Sequence, residues 1–170
     1  KQKTAYEIRP RDWSSDVCSS DLFTGGITDV DSGAAKGIAI TGTNETTGTW
    51  YYTTNGGTTW TAVGTVSNTS ALLLADNANT RLYFAPNADY NGTSTGALTL
   101  RAWDQTSGTA GTKVTTASNG GTTAFSSATD TIDVTVSAVN DAPVLADTAL
   151  TLTVAEDAGA PSGAVGSTLK

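Results

Sequence analysis

Short apolar runs at hairpin spacing, divided by glycine-rich turns, commit this chain to an antiparallel all-β fold. Eight such runs stand out: Gly37–Thr43, Thr49–Thr54, Thr58–Val63, Ala71–Ala75, Arg81–Ala85, Ala97–Trp103, Thr131–Val139 and Ala149–Ala155. Alternation is clearest at Ile132, Val134 and Val136, and again at Leu150, Leu152 and Val154. Successive side chains of a strand point to opposite faces, so this period of two predicts one buried and one solvated face. Between the runs lie Asn55-Gly56-Gly57, Asn91-Gly92 and Asn119-Gly120-Gly121. Asn-Gly accepts the positive φ that a tight hairpin turn requires. Thr, Gly, Ser, Ala and Asn dominate, and no dozen-residue window carries a helical period. The expected fold is therefore an antiparallel β-sandwich of the immunoglobulin or cadherin-like kind. Its expected core is Trp50, Leu72, Leu74, Leu82, Phe84, Leu98, Leu100 and Trp103.

Residues 1–22, KQKTAYEIRPRDWSSDVCSSDL, read unlike everything after them. They hold Cys18, the one cysteine, and Trp13, a tryptophan with no strand pattern around it. No apolar stretch follows Lys1 and Lys3, so the segment is not a secretory signal. It resembles an in-frame translation of a sequencing-library adapter: both Lys1–Ile8 and Asp12–Leu22 back-translate onto adapter sequence. On that reading, residues 1–22 are non-native and irregular, and Phe23 opens the natural protein.

The charge supports treating the two parts separately. Four of the nine basic and four of the sixteen acidic residues fall in the first 22, so the net charge of −7 belongs to the remaining 148. An acidic chain lacks the basic footprint of nucleic-acid binding and has no attraction for anionic membrane surfaces. The longest apolar run, Ala71–Ala75, is far short of the roughly 20 residues that span a bilayer. The residues after Leu22 contain neither cysteine nor histidine. That removes a disulfide framework and catalytic histidine or cysteine. Paired carboxylates such as Asp130 and Asp133 flank a strand without a pocket signature, so no enzyme is expected.

A boundary is written at Val139-Asn140-Asp141-Ala142-Pro143-Val144-Leu145. Pro143 has no N–H and holds its predecessor extended, which ends one strand and begins a linker. This segment resembles the linker of cadherin-like tandem repeats in large bacterial adhesins. Residues 151–169, TLTVAEDAGAPSGAVGSTL, resemble the first strand of such a repeat with its acidic bend. Thr28-Asp29-Val30-Asp31-Ser32-Gly33 resembles the family's Asp-x-Asp-x-Gly calcium motif, and LRAWDQTSG the late strand that ends on a calcium-facing aspartate, Asp104. The resemblance implies that residues 23–139 are a sandwich repeat lacking its first strand. Residues 140–170 are then the linker and first strand of the next repeat. Together these pieces amount to 148 residues, one repeat length.

The family likeness implies a structural or adhesive repeat of a secreted or cell-surface protein. Its partners would be neighbouring repeats and host or biofilm surface ligands, without membrane insertion. It also implies calcium, with Asp29, Asp31, Asp104, Asn140, Asp141, Glu156 and Asp157 as ligands. Calcium takes six to eight oxygens from carboxylates, amides and carbonyls, the chemistry these residues carry. The chain departs from the family pattern at Ala35, where an Asn is usual, and at Asn140-Asp141-Ala142, which lacks a second Asn. Asp-x-Asp-Ser-Gly is also ordinary turn chemistry. In the family the ion lies between domains, so a chain holding one side of each junction is expected to carry no complete inter-domain site.

Two further features bear on function. Thr53-Thr54-Asn55-Gly56-Gly57-Thr58-Thr59-Trp60 resembles the Asp-box turn of sialidase-like propellers. With one copy instead of a blade repeat, it predicts a single hairpin with Trp60 packed at its base. Trp50, Tyr51, Tyr52 and Trp60 offer a stacking platform for sugars, although alternation turns about half of them inward. A carbohydrate-binding or accessory module of a secreted enzyme is therefore the alternative reading.

Overall fold

A computed structural model describes residues 27–29, 31, 33–145 and 151–164 of the chain. The adapter-like segment 1–22 lies outside the described residues, as do Ala149 and Leu150 of the eighth expected strand. The described residues contain eight strands and no helix: β1 (Gly37–Thr43), β2 (Gly48–Thr53), β3 (Thr61–Ala62), β4 (Ala71–Ala75), β5 (Arg81–Pro86), β6 (Gly92–Trp103), β7 (Lys113–Val114) and β8 (Asp130–Val136). All pair antiparallel, in a five-stranded sheet ordered β7-β4-β1-β6-β8 and a three-stranded sheet ordered β3-β2-β5. The protein is an all-β antiparallel sandwich.

Register explains the core. Ile38 lies opposite Leu74, and Ile40 lies opposite both Leu72 and Leu100, so one face of the large sheet is a layer of branched aliphatics. Against it pack Trp50, Val63 and Leu82, with Phe84, Tyr52, Ile132 and Val134 at the margin. Of the eight expected core residues, seven are buried and Phe84 is partly buried. Trp50 stacks at a tilt on Phe84, ring centres 5.1 Å apart. Its indole N–H donates to the Ala97 carbonyl at 3.0 Å, satisfying a buried donor and joining the two sheets.

A second apolar layer lies on the opposite face of the large sheet. Ala39, Ala71, Leu73, Ala75 and Trp103 are buried there beneath Ala124 and Phe125. The chain from residue 104 to 129 makes this cover. Leu73 exchanges backbone bonds with it (Gly111 N–H to Leu73 O at 2.7 Å; Leu73 N–H to Thr112 O at 3.0 Å), and Trp103 bridges to Phe125. This two-sided burial is why β4 reads Ala-Leu-Leu-Leu-Ala without alternation. β1 is close-packed for the same reason. A Cβ on Gly37 would lie 2.6 Å from the Leu74 carbonyl and 2.7 Å from the Trp103 ring.

Several expected elements differ. The strand over 58–63 shrinks to Thr61–Ala62, because residues 54–60 are held in the turn by side-chain bonds. Asn91-Gly92 is not a hairpin turn: the chain reverses at Asn87–Tyr90, and Gly92 opens β6 as it crosses to the other sheet. β6 starts five residues earlier than its apolar run, since Gly92, Thr93 and Ser94 already pair with β8. Between Ser94 and Leu98 the pairing slips; there Gly96 has φ +58° and donates its N–H to the Asp133 carboxylate at 2.7 Å. β7 carries no periodic signal at two residues.

The described residues up to Ala138 form one compact unit, and those from Val139 onward a second. The described residues of this second unit, 139–145 and 151–164, contain no strand. Thr151–Ala155 therefore does not form the expected strand, and Leu152 and Val154 are 73% and 70% exposed. An alternating segment becomes a strand only when a neighbouring strand takes up its backbone bonds.

Candidate functional site

The structure brings two of the seven expected calcium ligands to one place. Asp29 and Asp104 both line a cleft of about 320 Å³ where residues 27–29 and 35–36, the end of β6 and the 120–128 stretch meet. Trp103 and Phe125 form its apolar wall, and Thr123, Ser126 and Lys36 supply polar groups. Each aspartate already has one oxygen engaged locally. Asp29 Oδ1 accepts the Asp31 N–H at 2.9 Å. Asp104 Oδ1 accepts the N–H and hydroxyl of Thr106 at 2.8 and 2.6 Å. These are Asx turns, which put the carboxylates to work in shaping the backbone.

Asp31 is exposed and does not line the cleft. Asn140, Asp141, Glu156 and Asp157 are exposed and belong to the second unit; Glu156 and Asp157 form a turn in which Asp157 has φ +62°. Among the described residues no three acidic, cysteine or histidine side chains converge as a metal group. Two carboxylates beside a lysine do not supply the six to eight oxygens of a calcium site. The described cleft by itself does not fit the ion.

The carboxylates Asp130 and Asp133 likewise serve the backbone. Asp130 Oδ1 accepts the Thr131 N–H, and Asp133 Oδ1 caps Gly96. The cations are used in the same way. Lys113 Nζ donates to the carbonyls of Val63 and Thr65 at 2.7 and 2.8 Å, tying β7 to the chain after β3. Arg101 Nη1 donates to the carbonyls of Ser126 and Ser127, holding down the cover over the second layer. Neither clasp is visible in the sequence, because long-range partners of a lone cation leave no spacing pattern.

The hairpin at 53–60 is built by side chains. Asn55 Oδ1 accepts the Thr53 hydroxyl at 2.8 Å and the Thr59 N–H at 3.0 Å, while Asn55 Nδ2 donates to Thr59 Oγ1 at 2.8 Å. Gly56 and Gly57 adopt φ of +71° and +94°, and the Gly57 N–H returns to Thr53 Oγ1. Trp60 is half-buried and meets Tyr83 edge-on, ring centres 5.9 Å apart.

This packing sorts the aromatic residues. Trp50 and Tyr52 belong to the inner face, and the Tyr52 hydroxyl donates to the Gly111 carbonyl. They are not part of a surface platform. Tyr51 lies directly opposite Tyr83 on the outer face, next to Trp60. The outward set is therefore Tyr51, Trp60 and Tyr83. Tyr83 escaped the sequence reading because its β-strand partner could not be paired with Tyr51 from spacing alone. No protein-family model, curated protein or solved structure matches the chain.

Proposed function

We propose that the natural portion of this chain is a structural and adhesive repeat of a large secreted or cell-surface protein of the bacterial cadherin-like type. The observation that carries the reading is how the sandwich is joined onward. The edge strand β8 runs out at Val136 into an exposed, proline-bearing Asn140-Asp141-Ala142-Pro143 segment, and the alternating stretch that follows forms no strand among the described residues. A repeat array places such a junction between consecutive sandwiches. In that array calcium rigidifies the joints, with Asp29, Asp31 and Asp104 supplied by one repeat and Asn140, Asp141, Glu156 and Asp157 by the linker and its surroundings. Neighbouring repeats are the primary partners. The test is small-angle scattering from a chain carrying residues 23–170 twice in succession. Calcium should lengthen its maximum dimension and chelator should reverse this; an unchanged profile sinks the reading.

One observation favours the carbohydrate-binding alternative: Tyr51, Trp60 and Tyr83 gather on the outer face of the small sheet. Sugars stack on such rings through their C–H faces. The rings of Trp60 and Tyr83 stand at 62° to one another, which suits a bent ligand better than a flat chain. Binding to a glycan array that is lost on Tyr51→Ala would support this alternative, and silence across the array would remove it.

A further inference from the structure

The chain carries three Asn-Gly pairs, Asn55-Gly56, Asn91-Gly92 and Asn119-Gly120. Such a pair is chemically reactive, because glycine has no Cβ to shield its backbone nitrogen from the preceding side-chain amide. The fold restrains two of the three. Asn55 Nδ2 donates to Thr59 Oγ1 at 2.8 Å, its Oδ1 accepts from Thr53 and Thr59, and the Gly56 N–H donates to the Asn79 carbonyl at 2.8 Å. Asn119 Nδ2 donates to the carbonyls of Thr116 and Ala117 at 3.0 and 3.2 Å, and the Gly120 N–H donates to the Phe125 carbonyl at 2.7 Å. In both pairs the amide and the attacking nitrogen are tied to separate partners.

Asn91 differs. It is exposed, and its side chain makes no hydrogen bond among the described residues. Asn55 is exposed as well, so bonding and not exposure separates the two. Gly92 belongs to the outermost pair of the β6–β8 ladder, opposite Val136. The ends of a ladder open far more readily than its middle. Gly92 also holds φ +130°, a backbone conformation that L side chains rarely adopt, so the fold itself requires the glycine.

We infer that Asn91 is a site of spontaneous deamidation and isoaspartate formation, selected by the fold from three like dipeptides. The Gly92 nitrogen gives up its proton to solvent base and attacks Cγ of Asn91. The new C–N bond closes a five-membered succinimide, and the Cγ–Nδ2 bond breaks to release ammonia. Water then opens the ring. Attack at Cγ leaves an aspartate; attack at the backbone carbonyl carbon leaves an isoaspartate, whose main chain runs through the side-chain methylene. One water is consumed and one ammonia released, with no oxidant or reductant.

The added main-chain methylene falls between Tyr90 and Gly92, where the chain crosses from the small sheet to the large one. It displaces Gly92 from Val136 and Thr93 from Thr135, whose hydroxyls meet at 3.0 Å. The contact of Gly96 with Asp133 pins the ladder beyond this point, so Leu98, Thr99 and Leu100 keep their partners. The modification therefore loosens the end of β8, just ahead of the Asn140-Asp141-Ala142-Pro143 segment, and leaves the core in place. It depends on neither calcium nor an adhesive role.

The experiment is a time course of the full chain in mildly alkaline buffer at physiological temperature, read by tryptic mapping with mass spectrometry. Trypsin cuts after Lys36, Arg81, Arg101 and Lys113, so the three pairs fall in three different peptides. The Asn91 peptide should exchange amide for acid about tenfold faster than the other two, since each of those must first break at least two hydrogen bonds. Labelling with an isoaspartyl methyltransferase should mark that peptide. Asn91→Gln should abolish the signal, because its longer side chain would have to close a six-membered ring. In concentrated urea the three pairs should react at comparable rates. Hydrogen exchange of the aged chain should quicken at Thr135 and Val136 and stay unchanged at Ile132. Asn91 reacting no faster than Asn55 or Asn119 in the folded chain overturns the inference. So does a preference for Asn91 that persists in urea, which would place its cause in the flanking sequence and not in the fold. Unchanged exchange at Thr135 and Val136 overturns the loosening of β8.

Discussion

The Trp50 indole N–H and the Ala97 carbonyl meet at 3.0 Å inside the sandwich, linking the small sheet to β6 of the large one. Both residues are buried, at 4% and 0% exposure, so no water can replace either partner. Trp50→Phe keeps an aromatic ring against Phe84, and the Ala97 carbonyl keeps its second bond, from the Asn44 N–H at 3.0 Å. The expected cost is therefore about 0.5–1.5 kcal/mol, the net contribution of one lost hydrogen bond. It should appear as a lower denaturant midpoint at unchanged slope. A loss no larger than that of an exposed substitution would show that the bond contributes only geometry.

The 53–60 hairpin depends on one side chain acting as both acceptor and donor. Asn55→Ala removes three of its bonds, to Thr53, to the Thr59 N–H and to Thr59 Oγ1. Most of the turn is exposed, so water replaces part of what is lost, and about 1 kcal/mol of destabilisation is expected. Asn55→Asp keeps both acceptor contacts, and the Thr59 hydroxyl can turn to donate. It should therefore be close to neutral. Equal losses in the two variants would mean that the amide N–H, not the acceptor oxygen, holds the turn.

These two elements show what was legible in the chain and what was not. β1 and β4 coincide with their apolar runs because the runs are short, bounded by turns and buried along their length. Seven of eight expected core residues are fully buried because strand alternation and apolar character agreed there. The second layer under Ala124 and Phe125 was not visible. It is covered by a largely irregular stretch whose apolar signals are isolated alanines, Val114 and one phenylalanine. The Asn91-Gly92 turn was misplaced because the dipeptide signals positive φ and not which residues reverse the chain; here Gly92 takes φ +130° at the start of a strand. Leu152 and Val154 alternate as a strand should, yet pairing is a property of two segments, and one segment cannot announce its partner. For the site, Asp29 and Asp104 do share a cleft, 75 positions apart in the chain. Asn140, Asp141, Glu156 and Asp157 belong to a different unit from that cleft.

Gly37 tests the two-sided burial of the large sheet. A methyl group there meets the Leu74 carbonyl on the backbone of β4 and the ring of Trp103, neither of which has room to move. Gly37→Ala should destabilise by about 1–3 kcal/mol through overpacking. Gly159→Ala is the control, since nothing lies within 4 Å of its Cβ and its φ is ordinary. Thermal melts of the pair should separate clearly, with the control at or slightly above wild type. If both melt with the wild type, the outer face of β1 is less closely packed than the cover of residues 104–129 implies.

Calcium provides the sharpest test of the repeat reading. The cleft offers Asp29 and Asp104, each with one oxygen already bonded to backbone, and Lys36 beside them. A hard cation needing six to eight oxygens finds too few there, and a neighbouring ammonium opposes it electrostatically. Calorimetric titration of the single chain should therefore reveal no site in the roughly micromolar range typical of sensor proteins. Asp29→Asn with Asp104→Asn should leave the titration unchanged. In the chain carrying residues 23–170 twice, the junction places Asn140, Asp141, Glu156 and Asp157 of the first copy in the same molecule as Asp29, Asp31 and Asp104 of the second. A calcium-binding heat should appear there, and the double Asn substitution in the second copy should abolish it. A tight site in the single chain would mean that the donors assemble without a neighbouring repeat. No heat in the tandem chain would leave the aspartates as turn residues and remove calcium from the proposed function.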